Sequence, residues 1–367
     1  MSVDTRPFRW AASGAEDWRQ AVTDCVAGLG RDRMDADRLG FVYATDHFAA
    51  AMPAIVGALT ERTGVDSWVG TVGIGIVAGP RAYYDEPGLT VMTAPIAERD
   101  FTLFDCVPPP APADGGLPVA VVHADPRNAK IGDLLRDVAA TSGAYCVGGL
   151  TAARGDRFDQ VAGAVTDGGL SGVVLAPGIA VATGLTQGCA PLGPVRRITG
   201  AADNVLISID DRPALDVLRG DLVAAGFDPA NLRRMGGTVF AGFPVPRSDT
   251  GDYVVRNLVG IDPDQGLVVV AEKVGTHDSV LFCKRDRAAA EADLEFMARR
   301  VRARTDRVRG AIYVSCLARG PHGFGSADAE VALVQRALGD VPLVGFFANG
   351  EISHDRIYGY TGVLVMF

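Results

Sequence analysis

The chain has 367 residues, 48% of them apolar and 22% charged, which excludes a disordered chain and suffices for about two domains. Its net charge of −9 excludes the basic footprint that neutralises nucleic-acid phosphates. The six cysteines lie no closer than 33 residues apart and the N-terminus carries no basic-then-apolar signal, so the expectation is reduced, buried thiols in a cytoplasmic protein.

In chain order, Leu39–Thr45 reads as a buried strand, followed by a helical pattern over roughly 49–62 and then Trp68-Val69-Gly70. The pattern recurs: a strand over 117–123, an amphipathic helix carrying Ile131, Leu134, Leu135 and Val138, then Cys146-Val147-Gly148. Leu39 to Gly70 and Leu117 to Gly148 are both separations of 31 residues. From 168 to 195 there is no charged side chain, long enough to cross a bilayer. Pro177-Gly178, Pro191 and Pro194 would break a spanning helix, so the expectation is two buried strands, 172–176 and 179–185, around a Pro-Gly turn, with no membrane insertion. Strands are predicted at 161–165, 195–199, 205–209, 238–243, 253–258, 267–271 and 280–283. A helix begins at Pro213 after Asp210-Asp211, and a charged one over 287–305 buries Ala290, Leu294, Met297 and Val301. A third copy of the repeat closes the chain: Gly310-Ala311-Ile312-Tyr313-Val314-Ser315 matches Gly40-Phe41-Val42-Tyr43-Ala44-Thr45, a helix follows, then Leu343-Val344-Gly345.

Strand, loop, helix, strand is a βαβ unit, and ligands bind at the carboxyl ends of its parallel strands. The expected class is therefore α/β with mixed α+β character: repeated βαβ units with parallel strands, a strand-rich central region, and two domains, 30–210 and 211–367. Aligned on the spacing, the strand-end positions are Thr45-Asp46-His47, His123-Ala124-Asp125 and Ser315-Cys316-Leu317. Polar residues there fit ligand contacts, and they equally fit the caps that strand ends need. Glycine loops at 70–75 and 345–350 share a G-x-x-x-x-G spacing and suit either close ligand approach or close packing.

Nucleotide and hydrolase signatures fail. There is no GxxxxGK[ST], and Glu351 follows the nearest look-alike, where a carboxylate repels phosphate. Pro80 follows the loose glycine fingerprint at 73–79. GxSxG and HExxH are absent, and the five histidines have no metal-ligand spacing.

The run from Ile312 through Cys316 to Arg319-Gly320, with Asn349-Gly350-Glu351-Ile352, resembles the C-terminal domain of the FIST (F-box and intracellular signal transduction) family, whose pattern is Cys-x-x-Arg-Gly and Gly-Glu-Ile. Gly188–Pro194, Ile198-Thr199, Asn204, Asp211–Leu215 and Gly260-Ile261-Asp262 are also similar, so the resemblance spans about 30 to 365. At 75–77 this chain has Gly-Ile-Val where the family often repeats Gly-Glu-Ile. The resemblance implies a cytoplasmic sensory module for small ligands, amino acids among them, that signals through a separate partner such as a histidine kinase or a chemotaxis protein. Family members are also implicated in haem binding and gas sensing, which would require a histidine as axial ligand here.

Three readings follow. The first is a small-ligand sensor whose site is formed by Ser315, Cys316, Arg319, Asn349 and Glu351, with Thr45, Asp46 and His123 at the related loops. Both loops of the third unit leave one sheet edge, so Arg319 would pair a ligand carboxylate and Glu351 an ammonium group. The second is a hydrolase using Ser315-Cys316, His123 and Asp46. The third is a haem sensor. The first expects no enzyme activity and no cofactor.

Overall fold

Strands with unbroken apolar runs need cover on both faces, and the architecture supplies it three times over. The computed structural model describes residues 6–30, 37–113, 115–229, 237–246, 248, 251–305 and 307–367. The first repeat comprises β1 (Arg9–Ser13), α1 (Trp18–Gly28), β2 (Leu39–Thr45), α2 (Met52–Thr63), β3 (Ser67–Gly73), the hairpin β4 (Gly75–Ala78) and β5 (Arg81–Tyr84), and β6 (Leu89–Ala94). The second comprises β7 (Phe101–Asp105), β8 (Val119–Ala124), α3 (Ile131–Ser142), β9 (Tyr145–Leu150), the hairpin β10 (Gln160–Ala162) and β11 (Ala164–Thr166), and β12 (Leu170–Leu175).

The third repeat opens with β13 (Ala182–Gln187) and is then interrupted. The interruption contains β14 (Cys189–Pro191), β15 (Arg196–Ala202), β16 (Val205–Ile209), β17 (Arg212–Pro213), α4 (Ala214–Ala224), β18 (Val239–Pro244), β19 (Tyr253–Asp262), β20 (Leu267–Val270) and β21 (Ser279–Arg285). The repeat resumes with α5 (Arg287–Arg302), β22 (Ala311–Cys316), α6 (Gly320–Phe324), α7 (Ala327–Leu338), β23 (Leu343–Ala348), the hairpin β24 (Glu351–Ser353) and β25 (Arg356–Tyr358), and β26 (Thr361–Met366).

Within each repeat the two βαβ strands are parallel, and the last strand returns antiparallel beside the first of them. The intervening hairpin leaves its own sheet. Strand β4 pairs with β23, β10 with β3, and β24 with β9, so each repeat completes a neighbour's sheet. The three six-stranded sheets therefore share one plan: β1-β6-β2-β3-β10-β11, β7-β12-β8-β9-β24-β25 and β13-β26-β22-β23-β4-β5. Phe41, Tyr43, Val121, Val147, Ile312, Val314 and Phe346 from all three meet in one core. Helices α1 and α2 cover the outer face of the first sheet and α3 that of the second.

Chain contacts resolve two compact units, Met1–Thr186 with Glu291–Phe367, and Gln187–Ala290. Among its described residues the smaller unit pairs its strands antiparallel and adds the helix α4. Strands β21, β15, β16, β20, β19 and β18 pair in that order, and β18 pairs back to β21, closing a barrel. Leu215, Leu218 and Leu222 of α4 pack with Phe282, Val268 and Ala241 of its strands. The predicted stripe of α5 (Ala290, Leu294, Met297, Val301) is buried. Among the described residues no helix is long and apolar enough to cross a membrane.

The structure corrects three local expectations. The glycine loops at 70–75 and 345–350 are largely strand: Gly70 stands opposite Val42, Gly148 opposite Val122 and Gly345 opposite Tyr313 in the parallel pairs. A Cβ at these glycines would lie 1.6, 1.9 and 1.9 Å from the facing carbonyl oxygen, so packing is what demands glycine there. This register also replaces the alignment drawn from equal spacing. The crossovers differ in length, and Leu117 lies before β8 begins, so His123 is equivalent to Tyr43 and Val314, while Thr45 is equivalent to Asp125 and Cys316. Finally, the strands at 172–176 and 179–185 do not pair with each other: β12 and β13 belong to different sheets.

Candidate functional site

Along β22, side chains alternate. Ile312 and Val314 enter the shared core, which directs Tyr313 and Ser315 to the opposite face, toward α7. There they meet Glu330, fully buried on the apolar stripe formed by Ala327, Val331, Val334 and Leu338. After Cys316 the chain turns, with Arg319 N–H donating to the Cys316 carbonyl at 2.8 Å, and the Arg319 side chain is 2% exposed.

Glu330 is saturated. Its Oε1 accepts from Arg319 Nε at 2.7 Å, Ser315 Oγ at 2.7 Å and Tyr313 Oη at 2.8 Å, and its Oε2 from Gly320 N–H at 3.0 Å. The guanidinium also lies 5.0 Å from the Phe324 ring. A buried carboxylate is tolerable only with such a set of donors and a cation.

Glu351 is differently placed. Strand β24 docks it on β9, opposite Gly149, with Tyr358 across the hairpin. Its Oε2 accepts from Thr361 Oγ1 at 2.7 Å and Thr361 N–H at 3.2 Å, while its Oε1 has no partner, and neither does Nη1 of Arg319. Burial pushes the Glu351 carboxyl up to about 8, against the opposing pull of Thr361, Arg319 and Cys316. The Cys316 thiol is pushed well up, first by burial and then by Glu351, so it is a poor nucleophile. At the side, the Tyr84 ring stands edge-on to Phe347 at 5.1 Å and flanks Gly320.

The three sheets offer equivalent positions for comparison. The residue before the one facing each strand glycine is Ile76, Gln160 or Glu351. Ile76 is filled into the core, and the Gln160 amide is fully used: its nitrogen donates to Ser171 Oγ at 3.2 Å and its oxygen accepts from Asp125 N–H at 2.9 Å. Glu351 keeps an unpaired atom.

The structure thus brings Ser315, Cys316, Arg319 and Glu351 together. The Asn349 side chain is exposed, and its backbone N–H donates to Leu150 O at 3.0 Å. Thr45 Oγ1 accepts from Gly88 N–H at 2.9 Å. Asp46 is gripped by Arg154 through Nε at 2.9 Å and Nη2 at 2.5 Å, and Arg154 also reaches Asp85 at 2.9 Å. His123 lies in the core with Nε2 3.3 Å from Tyr43 Oη, Tyr43 and Phe346 at 5.6 Å, and burial lowering its pKa to about 3. Core side chains occupy the space a porphyrin would need there, so His123 does not fit an axial haem ligand. The hydrolytic set is not assembled either: Ser315 serves Glu330, His123 is in the core, and Asp46 is paired elsewhere. Sequence reasoning missed Glu330 and Tyr313. The signal for Glu330 was an acidic residue on an otherwise apolar helical stripe.

The sequence model of the FIST N domain matches residues 38–212 and that of the FIST C domain residues 214–354. The chain belongs to the FIST family. An uncharacterized protein of Mycobacterium tuberculosis (strain CDC 1551 / Oshkosh) is 30% identical over 396 residues, covering 100% of this chain and 98% of its own length. An uncharacterized protein of Mycobacterium bovis is 29% identical over 378 residues, covering 96% of each. FIST domains are associated with sensory roles in signal transduction. The break between the two FIST segments falls inside the barrel unit, next to the Arg212–Pro213 strand.

Proposed function

We propose that this FIST protein is a small-ligand sensor whose ligand bridges Arg319 and Glu351 in the third repeat. The observation that carries the reading is the pair of unpartnered buried atoms, Arg319 Nη1 and Glu351 Oε1, in a cluster where every other polar atom named above is satisfied. A buried donor and a buried acceptor left unpaired each cost free energy that a ligand recovers on binding. An amino acid carries both complementary groups, a carboxylate for Nη1 and an ammonium for Oε1. In this reading the bound state is passed to a separate signalling protein, in keeping with the family's sensory role.

The test is calorimetry of the full chain against the twenty amino acids, with Glu351→Gln as the variant. At least one should bind, and Glu351→Gln should weaken it about ten- to hundredfold, the worth of a charge-assisted hydrogen bond. Equal affinity of wild type and variant for the best binder would refute the site. Arg319→Ala is unsuitable, because Arg319 also neutralises Glu330.

A further inference from the structure

We infer that Glu351 receives the cationic group of the ligand and releases a proton to solvent as it does so. The inference deepens the small-ligand reading and rests on it. The charge of Arg319 is already matched by Glu330 at 2.7 Å, both side chains being almost wholly buried, so the pair is close to neutral as a unit. Glu351 has no such partner: among the described residues no cation lies within 4.0 Å of its carboxyl, and its Oε1 makes no hydrogen bond, the weakly donating Cys316 thiol being the side chain beside it.

The surroundings of Glu351 supply no second cation. Strand β26 contributes the neutral Thr361, β22 the Cys316 thiol, β25 the Tyr358 phenol and β9 only Gly149. Among the described residues Arg319, at the start of α6, is the one charged group facing it, with Glu330 behind. Burying a carboxylate without its own counter-ion is costly, and the carboxyl keeps its proton instead. The displacement of its pKa to about 8 agrees with that geometry.

An ammonium group seated at Oε1 brings the missing charge. The O–H bond of the Glu351 carboxylic acid breaks, its proton goes to the buffer, and the carboxylate left behind pairs with the ligand's ammonium group, which keeps all of its own protons. A ligand bearing only a carboxylate meets the already neutralised Arg319 and leaves the proton in place. Affinity for a cationic ligand should therefore rise up to about tenfold per pH unit as pH approaches 8, then level off. The other two equivalent positions, Gln160 and Ile76, cannot do this, so one proton is released per chain.

Two measurements on the full chain test it. Infrared difference spectra of wild type minus Glu351→Gln near pH 6 should show a protonated-carboxyl band, and this band should vanish when ethylammonium or the best-binding amino acid is added. Calorimetry near pH 7 in phosphate and in Tris, buffers with unequal ionisation heats, should return close to one proton released per amino acid bound. Propionate should bind at least about tenfold more weakly than ethylammonium. No band near pH 6, or buffer-independent heats with a clear binder, overturns the inference and leaves the small-ligand reading standing. A band present with no panel member binding overturns that reading, and the inference with it.

Discussion

Replacing Arg319 by alanine should destabilise the larger unit without touching its hydrophobic core. The substitution removes the one cation of the Glu330 cluster and the guanidinium packed 5.0 Å from Phe324. Glu330 would keep the donors on Tyr313, Ser315 and Gly320 and would remain buried with no counter-ion. Breaking one side of a buried pair costs about 3–5 kcal/mol. The retained donors place the expectation at the lower end, about 3 kcal/mol, or roughly 5–6 °C in melting temperature for a unit of this size. A chain with two compact units need not unfold in one two-state step, so the probe must report on one of them. All three tryptophans, Trp10, Trp18 and Trp68, lie in the larger unit, so tryptophan fluorescence during urea unfolding isolates it. Glu330→Gln should recover much of the loss in the Arg319→Ala background, because an amide needs no counter-ion. A loss under about 1 kcal/mol for Arg319→Ala, or losses for the two changes that simply add, would refute the argument that the pair acts as one buried unit.

The strand glycines give a sharper contrast: Gly70→Ala, Gly148→Ala and Gly345→Ala each drive a Cβ to within 2 Å of a backbone oxygen (1.6, 1.9 and 1.9 Å) and should abolish soluble expression. Gly57→Ala, on the exposed face of α2 with nothing within 4 Å, should stabilise by about 0.5–1 kcal/mol in the same urea assay. For the thiols, a disulfide-exchange reagent should react quickly with the exposed Cys106 in the native protein, and should count six after unreduced denaturation; a lower final count would contradict the free-thiol assignment. For pH, the folded state holds a proton at Glu351 between the ordinary value of 4.5 and about 8, which the unfolded chain has lost. Its contribution to stability is therefore full below that window and is lost as pH rises through it, by up to about 1.4 kcal/mol per unit. Glu351→Gln should remove that slope; an unchanged slope in the variant would show that Glu351 is ionised when folded.

Much of the fold was legible because burial writes itself into apolar runs. The three βαβ units, α5 with its stripe, and most strands of the barrel follow from periodicity alone. Register was not legible. Equal separations between Leu39 and Gly70 and between Leu117 and Gly148 hid crossovers of different length, and only the facing pairs Val42–Gly70 and Val122–Gly148 show it. The exchange of hairpins was invisible because β4, β10 and β24 are short and pair with residues far away in sequence, and local pattern carries no partner identity. At the site, Arg319 and Glu351 were visible as charges beside strand ends. The sequence showed no reason to separate their roles, and that reason is Glu330, which takes the arginine's charge and leaves Glu351 without a counter-ion.

The exchanged hairpins interlock the repeats as three links of a closed chain. A protein cut at the break between residues 212 and 214 would keep the first sheet whole, since β10 and β11 come from the second repeat. The second sheet would lose β24 and β25, exposing the edge of β9, and β4 and β5 would have no sheet to join. Bare edges of that kind invite strand pairing between molecules. The FIST N and FIST C segments are thus recurrent in sequence without being separable bodies. Half-length pieces expressed alone should aggregate, and co-expressed should find each other. Release of any one repeat requires peeling a strand from its neighbour, so opening is collective, and the intact chain should resist proteolysis out of proportion to its equilibrium stability.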